Sequence, residues 1–290
     1  MSKEIQFCFS IKGLIAPQEA IIFDNILIRG IPPSDGACIY FKAIKKEVPD
    51  EEKTKEEDNL INSLRGTIGS IVQIYALLSG HHVTVLPGHS STYISAERPF
   101  GYEKLRGNLT LIPVFDEIRR KKEMPILKKT MAKYEEIKNI FIKKKKRFLK
   151  NAIDYYNRSL GDASYEEKLI DLMISLESLL SREQDELRLR YSLRAAYLLG
   201  VGQEEKRPEI FENIQNLYVK RSKVVHGNEA VNLTYQEMTT LQENVAEVIK
   251  RLVYIEKSKD EFLKLLDESV YDKKKLEELN QIVTEAIKKW

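Results

Sequence analysis

The stretch LYVKRSKVVHGN, Leu217 to Asn228, decides how the second half of this chain is read. It closes a helix that opens near Pro208 and stops at Gly227. Ile210, Ile214, Leu217, Val224 and Val225 recur along that helix at the three-and-four spacing of one apolar stripe, with Phe211 and Tyr218 on its flank. At ~100° per residue, Arg221 falls at the centre of the stripe. A guanidinium taken out of water costs several kcal/mol unless an anion accompanies it. Arg221 therefore needs a partner, supplied either by the protein or by a ligand.

A protein anion is at hand in LIDLMISLESLLS, Leu169 to Ser181, a helix whose apolar residues wrap most of its circumference. Ile170 and Ile174 share the side of Glu177, which points this carboxylate into apolar surroundings too. An Arg221–Glu177 or Arg194–Glu177 ion pair would make the arginine structural. His226 offers the other outcome. It is the only histidine in the helical half, five residues after Arg221 and just before a glycine. A side chain that exchanges protons near pH ~6.5, beside a permanently charged phosphate binder, is the minimum pair for cleaving RNA without a metal. Five residues are ~140° apart on an ideal helix. The two side chains can therefore meet only if the last turn deforms at Gly227 or if two chains share the site.

Working outward, the helix starts are legible. Ser164 with Glu167, Ser181 with Gln184, Thr234 with Glu237, and Ser258 with Glu261 have the capping-box spacing, in which side chains three apart satisfy each other's backbone N–H groups. Pro208 suits a first helical turn, and Gly200 and Gly227 suit C-terminal caps. Short loops between four or five such helices predict an antiparallel bundle.

The other half reads differently. IQFCFSIKG, AIIFDNILIRG and ACIYFKAIKK alternate in the strand manner, separated by turn-rich IPPSDG and similar segments. Asp50 then caps a helix that runs through LINSLRGTIGSIVQIYALLSG to Gly80, after which HHVTVLPGHSSTYISAE and NLTLIPVF return to strand character. The expected fold class is α+β. A mixed strand/helix recognition or regulatory domain over residues 1–115 is expected, then a basic helical linker over 116–160, then an all-α antiparallel bundle over 161–290. Two domains suit a chain of 290 residues.

Composition narrows the class. With 42% hydrophobic and 31% charged residues, the chain is neither collagenous nor broadly disordered. The two cysteines, Cys8 and Cys38, imply no disulfide framework, which makes a reducing cytoplasm the expected location. The opening MSKEIQFCFS lacks the pattern of a secretory signal. IGSIVQIYALLSG, Ile68 to Gly80, is shorter than the ~20 residues that span a bilayer, so it reads as a buried helix and no membrane partner is expected.

The net charge of +3 hides a local excess: residues 119–150 carry 14 Lys or Arg against 3 Glu. A solvated helix face is one account of this run. The other is a phosphate-backbone track through Lys143, Lys144, Lys145, Lys146 and Arg147, because clustered cations bind RNA through counterion release without choosing a sequence. His81, His82 and His89 make a poor metal set, since adjacent residues of a strand point to opposite faces, and no metal or cofactor is expected. LPGHSSTYISAERPFGYEKLRGN lacks the Gly-Lys-Ser/Thr ending of a phosphate loop.

Arg221-Ser222-Lys223-Val224-Val225-His226 matches the arginine, four to six residues, histidine motif of HEPN domains, and its context LYVKRSKVVHG resembles the Apea-like HEPN group of prokaryotic proteins. LMISLESLLS, Leu172 to Ser181, and RLRYSLRAAYLLG, Arg188 to Gly200, are similar to that group as well, so that the resemblance covers roughly Ser164 to Ile255. It implies a bundle that dimerises, with Arg221 and His226 of two chains lining one cleft. It also implies a metal-independent endoribonuclease of defence or toxin systems that leaves 2′,3′-cyclic phosphate ends. Ser222 stands where active members often carry asparagine or another hydrogen-bonding group. Ser222, Glu177 and Arg194 are the expected supporting residues. The alternative is a non-catalytic HEPN sensor or scaffold that binds RNA or protein.

Overall fold

The computed structural model describes residues 3–12, 21–23, 26–31, 36–45, 50–80, 84–85, 90–93, 125–126, 128–134, 136–137, 146–161, 163–182, 187–227 and 231–290. Side chains are described from residue 63 onward, for most of these positions. The chain divides into two compact units, Met1–Lys138 and Asn139–Trp290.

In the first unit, helix α1 spans Asp50–Ser79. Ile68, Ile71, Ile74 and Tyr75 on it are fully buried. It ends where Gly80 turns left-handed at φ 69°, its N–H donating to the Ala76 carbonyl at 2.9 Å. The backbone also pairs antiparallel between β1 (Lys3–Lys12) and β4 (Gly36–Lys45), with β2 (Ile21–Phe23), β3 (Ile26–Ile31), β5 (Thr84–Val85) and β6 (Ser90–Tyr93) alongside.

The α+β expectation is nevertheless corrected. The residues whose side chains are described are 83% helical and include no strand, and those of the second unit are arranged like a helical bundle, so that no N-terminal mixed strand/helix domain is seen. Period-two alternation reports a capacity of the backbone to pair, and by itself it does not specify the packing that makes a domain. The described core is made by helices.

The second unit contains α2 (Arg147–Ser159), α3 (Tyr165–Leu180), α4 (Leu187–Leu199), α5 (Arg207–His226), α6 (Tyr235–Val253), α7 (Lys259–Glu268) and α8 (Lys273–Lys288). Three capping boxes form as the spacing predicts, Ser164 with Glu167, Thr234 with Glu237 and Ser258 with Glu261. Ser181 instead ends α3, and Gln184 lies outside the described residues. Helix α3 is the hub, packing against α2, α4, α5 and α6. It buries Leu169, Leu172, Met173, Leu176, Leu179 and Leu180, each contributing roughly 1.5–3 kcal/mol of transfer free energy.

Two glycines play different parts. Gly227 caps α5 in the left-handed region at φ 64°, and its N–H donates to the carbonyls of Lys223 and Val224. Gly200 has no such backbone. A Cβ there would collide with the Arg207 side chain and the Ala196 carbonyl, so close approach is what demands glycine, and the left-handed residue of that turn is Gly202 at φ 78°. No helix among the described residues is long and apolar enough to cross a membrane.

Candidate anion site on the Arg221 helix

Helix α5 begins with Pro208 in its first turn and stays α-helical through His226. Its buried line is shorter than the apolar pattern suggests: Ile214 and Leu217 are buried, but Val225 is 49% exposed. Arg221 continues this line where the core thins out, and its side chain is 23% exposed. It is neither sealed in nor solvated.

Glu177 of α3 faces it. Arg221 Nη2 lies 3.9 Å from Glu177 Oε2, and the Glu177 side chain is 21% exposed. This is an ion pair without a hydrogen bond. Arg221 Nε and Glu177 Oε1 are both buried and have no hydrogen-bond partner among the described residues. Burial pushes the Glu177 carboxyl above its ordinary pKa, and the nearby Arg221 charge offsets this only in part.

A third helix closes the cluster. Tyr191 of α4 is fully buried, packs its ring against Tyr218 of α5 at 5.6 Å between centroids, and has no partner for its hydroxyl among the described residues. Burial raises this hydroxyl far above its ordinary pKa, and the negative charge of Glu177 adds to the effect. Tyr218 also raises it, while Arg221 and Arg188 oppose the shift. Three helices that pack on one another, α3, α4 and α5, thus each carry a buried polar atom without a hydrogen-bond partner among the described residues. Each buried polar atom left unpaired costs roughly 1–3 kcal/mol, so the cluster invites a further group.

The other predicted residues fall as follows. Ser222 is half-buried beside Arg221, and His226 is exposed in the last turn of α5. Because α5 remains regular to His226, the offset of ~140° and a rise of ~7.5 Å separate Arg221 from His226 within one chain. Deformation at Gly227 does not bring them together. Exposed Val219 precedes the motif and exposed Val225 lies within it on the same helix, and exposed Leu189 lies on α4, which packs against that helix.

Arg194 is not brought to Glu177. Its Nε and Nη2 bind the two oxygens of Asp267 on α7 at 2.7 and 2.8 Å, and Nη1 donates to the Leu180 carbonyl at 2.6 Å. At 1% exposure it is a structural clamp among α3, α4 and α7. Lys146 also has a local use: its ammonium donates to the carbonyls of Leu252, Val253 and Ile255, which capture the end of α6. Arg147 opens α2, while Lys143, Lys144 and Lys145 lie outside the described residues. The same holds for His81, His82 and His89.

Sequence reasoning missed Tyr191 and Asp267. Tyr191 carries a weak signal, a hydroxyl within the apolar run RYSLRAAYLL. Asp267 carries none, because its partner is 73 residues away. Among the described residues, no group of three or more His, Cys, Asp or Glu side chains is placed to hold a metal ion. No family model matches the chain, and no curated protein or solved structure does so either.

Proposed function

We propose that the second unit is a metal-independent endoribonuclease of the HEPN type, working as a homodimer in which His226 of one chain faces Arg221 of the other. The observation that carries this reading is the state of Arg221, a half-open guanidinium whose Nε has no partner and whose only described anion stands 3.9 Å away without a hydrogen bond. Such a group is well suited to receive a phosphate oxygen. The exposed Val219 and Val225 on the same helix supply apolar surface for a second copy.

In this mechanism, His226 takes the proton from a ribose 2′-hydroxyl. The 2′-oxygen bonds to the adjacent phosphorus, the P–O5′ bond breaks, and the departing 5′-oxygen receives a proton. Arg221 stabilises the added negative charge on the phosphoryl oxygens. The products are a 2′,3′-cyclic phosphate and a 5′-hydroxyl. A defence or toxin setting belongs to the same reading and rests on the sequence resemblance alone.

A second reading is favoured by one contact. Because Glu177 and Arg221 belong to the same chain, the pair could be wholly structural, in a non-catalytic scaffold that binds RNA or protein. Incubation with end-labelled RNA in excess EDTA separates the two. The nuclease reading expects cleavage by the parent that is lost in Arg221→Ala and His226→Ala, whereas intact RNA in every lane supports the scaffold.

A further inference from the structure

Three helices that pack on one another each carry a buried polar atom without a hydrogen-bond partner among the described residues: Glu177 Oε1 on α3, the Tyr191 hydroxyl on α4 and Arg221 Nε on α5. Glu177 and Arg221 form an ion pair, and the charges of both act on Tyr191. Glu177 Oε1 needs a donor, and the Tyr191 hydroxyl can be one. Arg221 Nε needs an acceptor. The resting arrangement gives Glu177 to Arg221 at 3.9 Å, too far for a hydrogen bond, and leaves all three atoms unsatisfied. Turning the carboxylate toward Tyr191 would satisfy Glu177 and Tyr191 together. It would also release Arg221 for an outside acceptor.

We propose that Glu177 is an exchangeable internal counter-anion of Arg221: a phosphodiester oxygen displaces it from the guanidinium, and the carboxylate is received by the Tyr191 hydroxyl. Both are positioning residues, since neither touches the ligand. The ligand chemistry is taken from the endoribonuclease reading, on which this inference rests. Arg221 faces one anion before and one after, while Glu177 exchanges a long ion pair for a hydrogen bond from the Tyr191 hydroxyl. The site as a whole takes on the negative charge of the phosphate, so the retained Glu177 carboxylate opposes binding. A half-buried ion pair of this kind is weak enough to be displaced, whereas a short bidentate pair such as Arg194–Asp267 is not.

The test is equilibrium binding of a fluorescent 2′-O-methyl RNA oligonucleotide, which cannot be cleaved because its nucleophile is blocked, to the full chain at fixed salt. Glu177→Gln removes the competing charge and is expected to tighten binding by about two- to fivefold. Tyr191→Phe removes the hydrogen-bond donor for the displaced carboxylate and is expected to weaken binding by roughly two- to tenfold. Because the Tyr191 hydroxyl has no hydrogen-bond partner among the described residues, the melting temperature of the free variant should not fall. A purely structural tyrosine would give the opposite. Both affinity changes should vanish in an Arg221→Ala background, which confines them to this site.

Inorganic phosphate serves as a competitor. Displacement of the oligonucleotide by millimolar phosphate in the parent, but not in Arg221→Ala, would identify a site for any phosphate oxyanion. Failure to compete assigns it to the phosphodiester of a polymer. No measurable binding by the parent overturns the exchange, as do unchanged affinities in both variants or equal effects with and without Arg221. Cleavage of unmodified RNA is scored separately. If binding follows the expected pattern and RNA stays intact, the nuclease reading fails and the exchange stands. If RNA is cut with dependence on Arg221 and His226 but the affinities do not move, the exchange fails alone.

Discussion

Arg221 Nη2 and Glu177 Oε2 stand 3.9 Å apart at the junction of three helices, close enough to attract and too far to share a hydrogen bond. Arg194, by contrast, grips Asp267 with two bonds of 2.7 and 2.8 Å. The bundle therefore treats two arginines of neighbouring helices in opposite ways. One is a finished clamp, and the other retains unspent binding capacity.

The clamp sets the first prediction. Arg194→Ala strands the Asp267 carboxylate and the Leu180 carbonyl, and breaking a buried pair of this kind costs about 3–5 kcal/mol. Asp267→Ala should cost at least as much, because it leaves the Arg194 guanidinium, 1% exposed, without its anion. Urea denaturation of the two variants measures both losses, and equal stability with the parent would contradict the clamp.

Lys146 gives the second. Its ammonium donates to three carbonyls at the end of α6, so Lys146→Met should lower stability by about 1.5–3 kcal/mol, the range for hydrogen bonds to a charged group. RNA affinity at moderate salt should change little, since this cation is directed at backbone. A large affinity loss with unchanged stability would return Lys146 to the phosphate-binding set.

The third concerns pH. Glu177 has a folded pKa raised above its unfolded value, chiefly by burial, so its contribution to stability is fully present below the unfolded pKa and is lost as pH rises through the folded value. Glu177→Gln carries no ionisation. Its stability relative to the parent should therefore improve as pH rises above the ordinary glutamate pKa of about 4.3. Denaturation midpoints of both proteins across that rise check the sign, and a relative loss toward neutral pH would contradict it.

The fourth separates chemistry from folding. His226 is exposed at the end of α5, so His226→Ala should change stability by no more than about 0.5 kcal/mol. On the nuclease reading it should nevertheless slow RNA cleavage by roughly 10²- to 10⁴-fold, the usual contribution of a positioned acid or base. Thermal melts and cleavage rates of one preparation decide this together.

These contrasts also show what the sequence could and could not reveal. The three capping boxes and the left-handed Gly227 were legible because each is a local rule, satisfied within four residues. Arg221 and Glu177 were legible as misplaced charges on apolar faces, and their facing one another was among the open outcomes. The partner of Arg194 was not legible, because Asp267 reaches it from a helix 73 residues away and looks like any exposed acidic residue on α7. The strand alternation near the N-terminus misled the fold class. It reports a capacity of the backbone to pair, and pairing alone does not specify the packing that makes a domain.

The regular course of α5 through His226 fixes the central claim, because within one chain the motif's two side chains point ~140° apart. If His226 of one chain serves Arg221 of the other, two inactive proteins should repair each other. Purified Arg221→Ala and His226→Ala, unfolded and refolded together, would form mixed dimers with one intact composite site, and random pairing gives about a quarter of the parent's activity on RNA in excess EDTA. Recovery near that level, with neither variant active alone, is the expected result. An active parent whose two variants show no recovery when mixed would contradict the two-chain site.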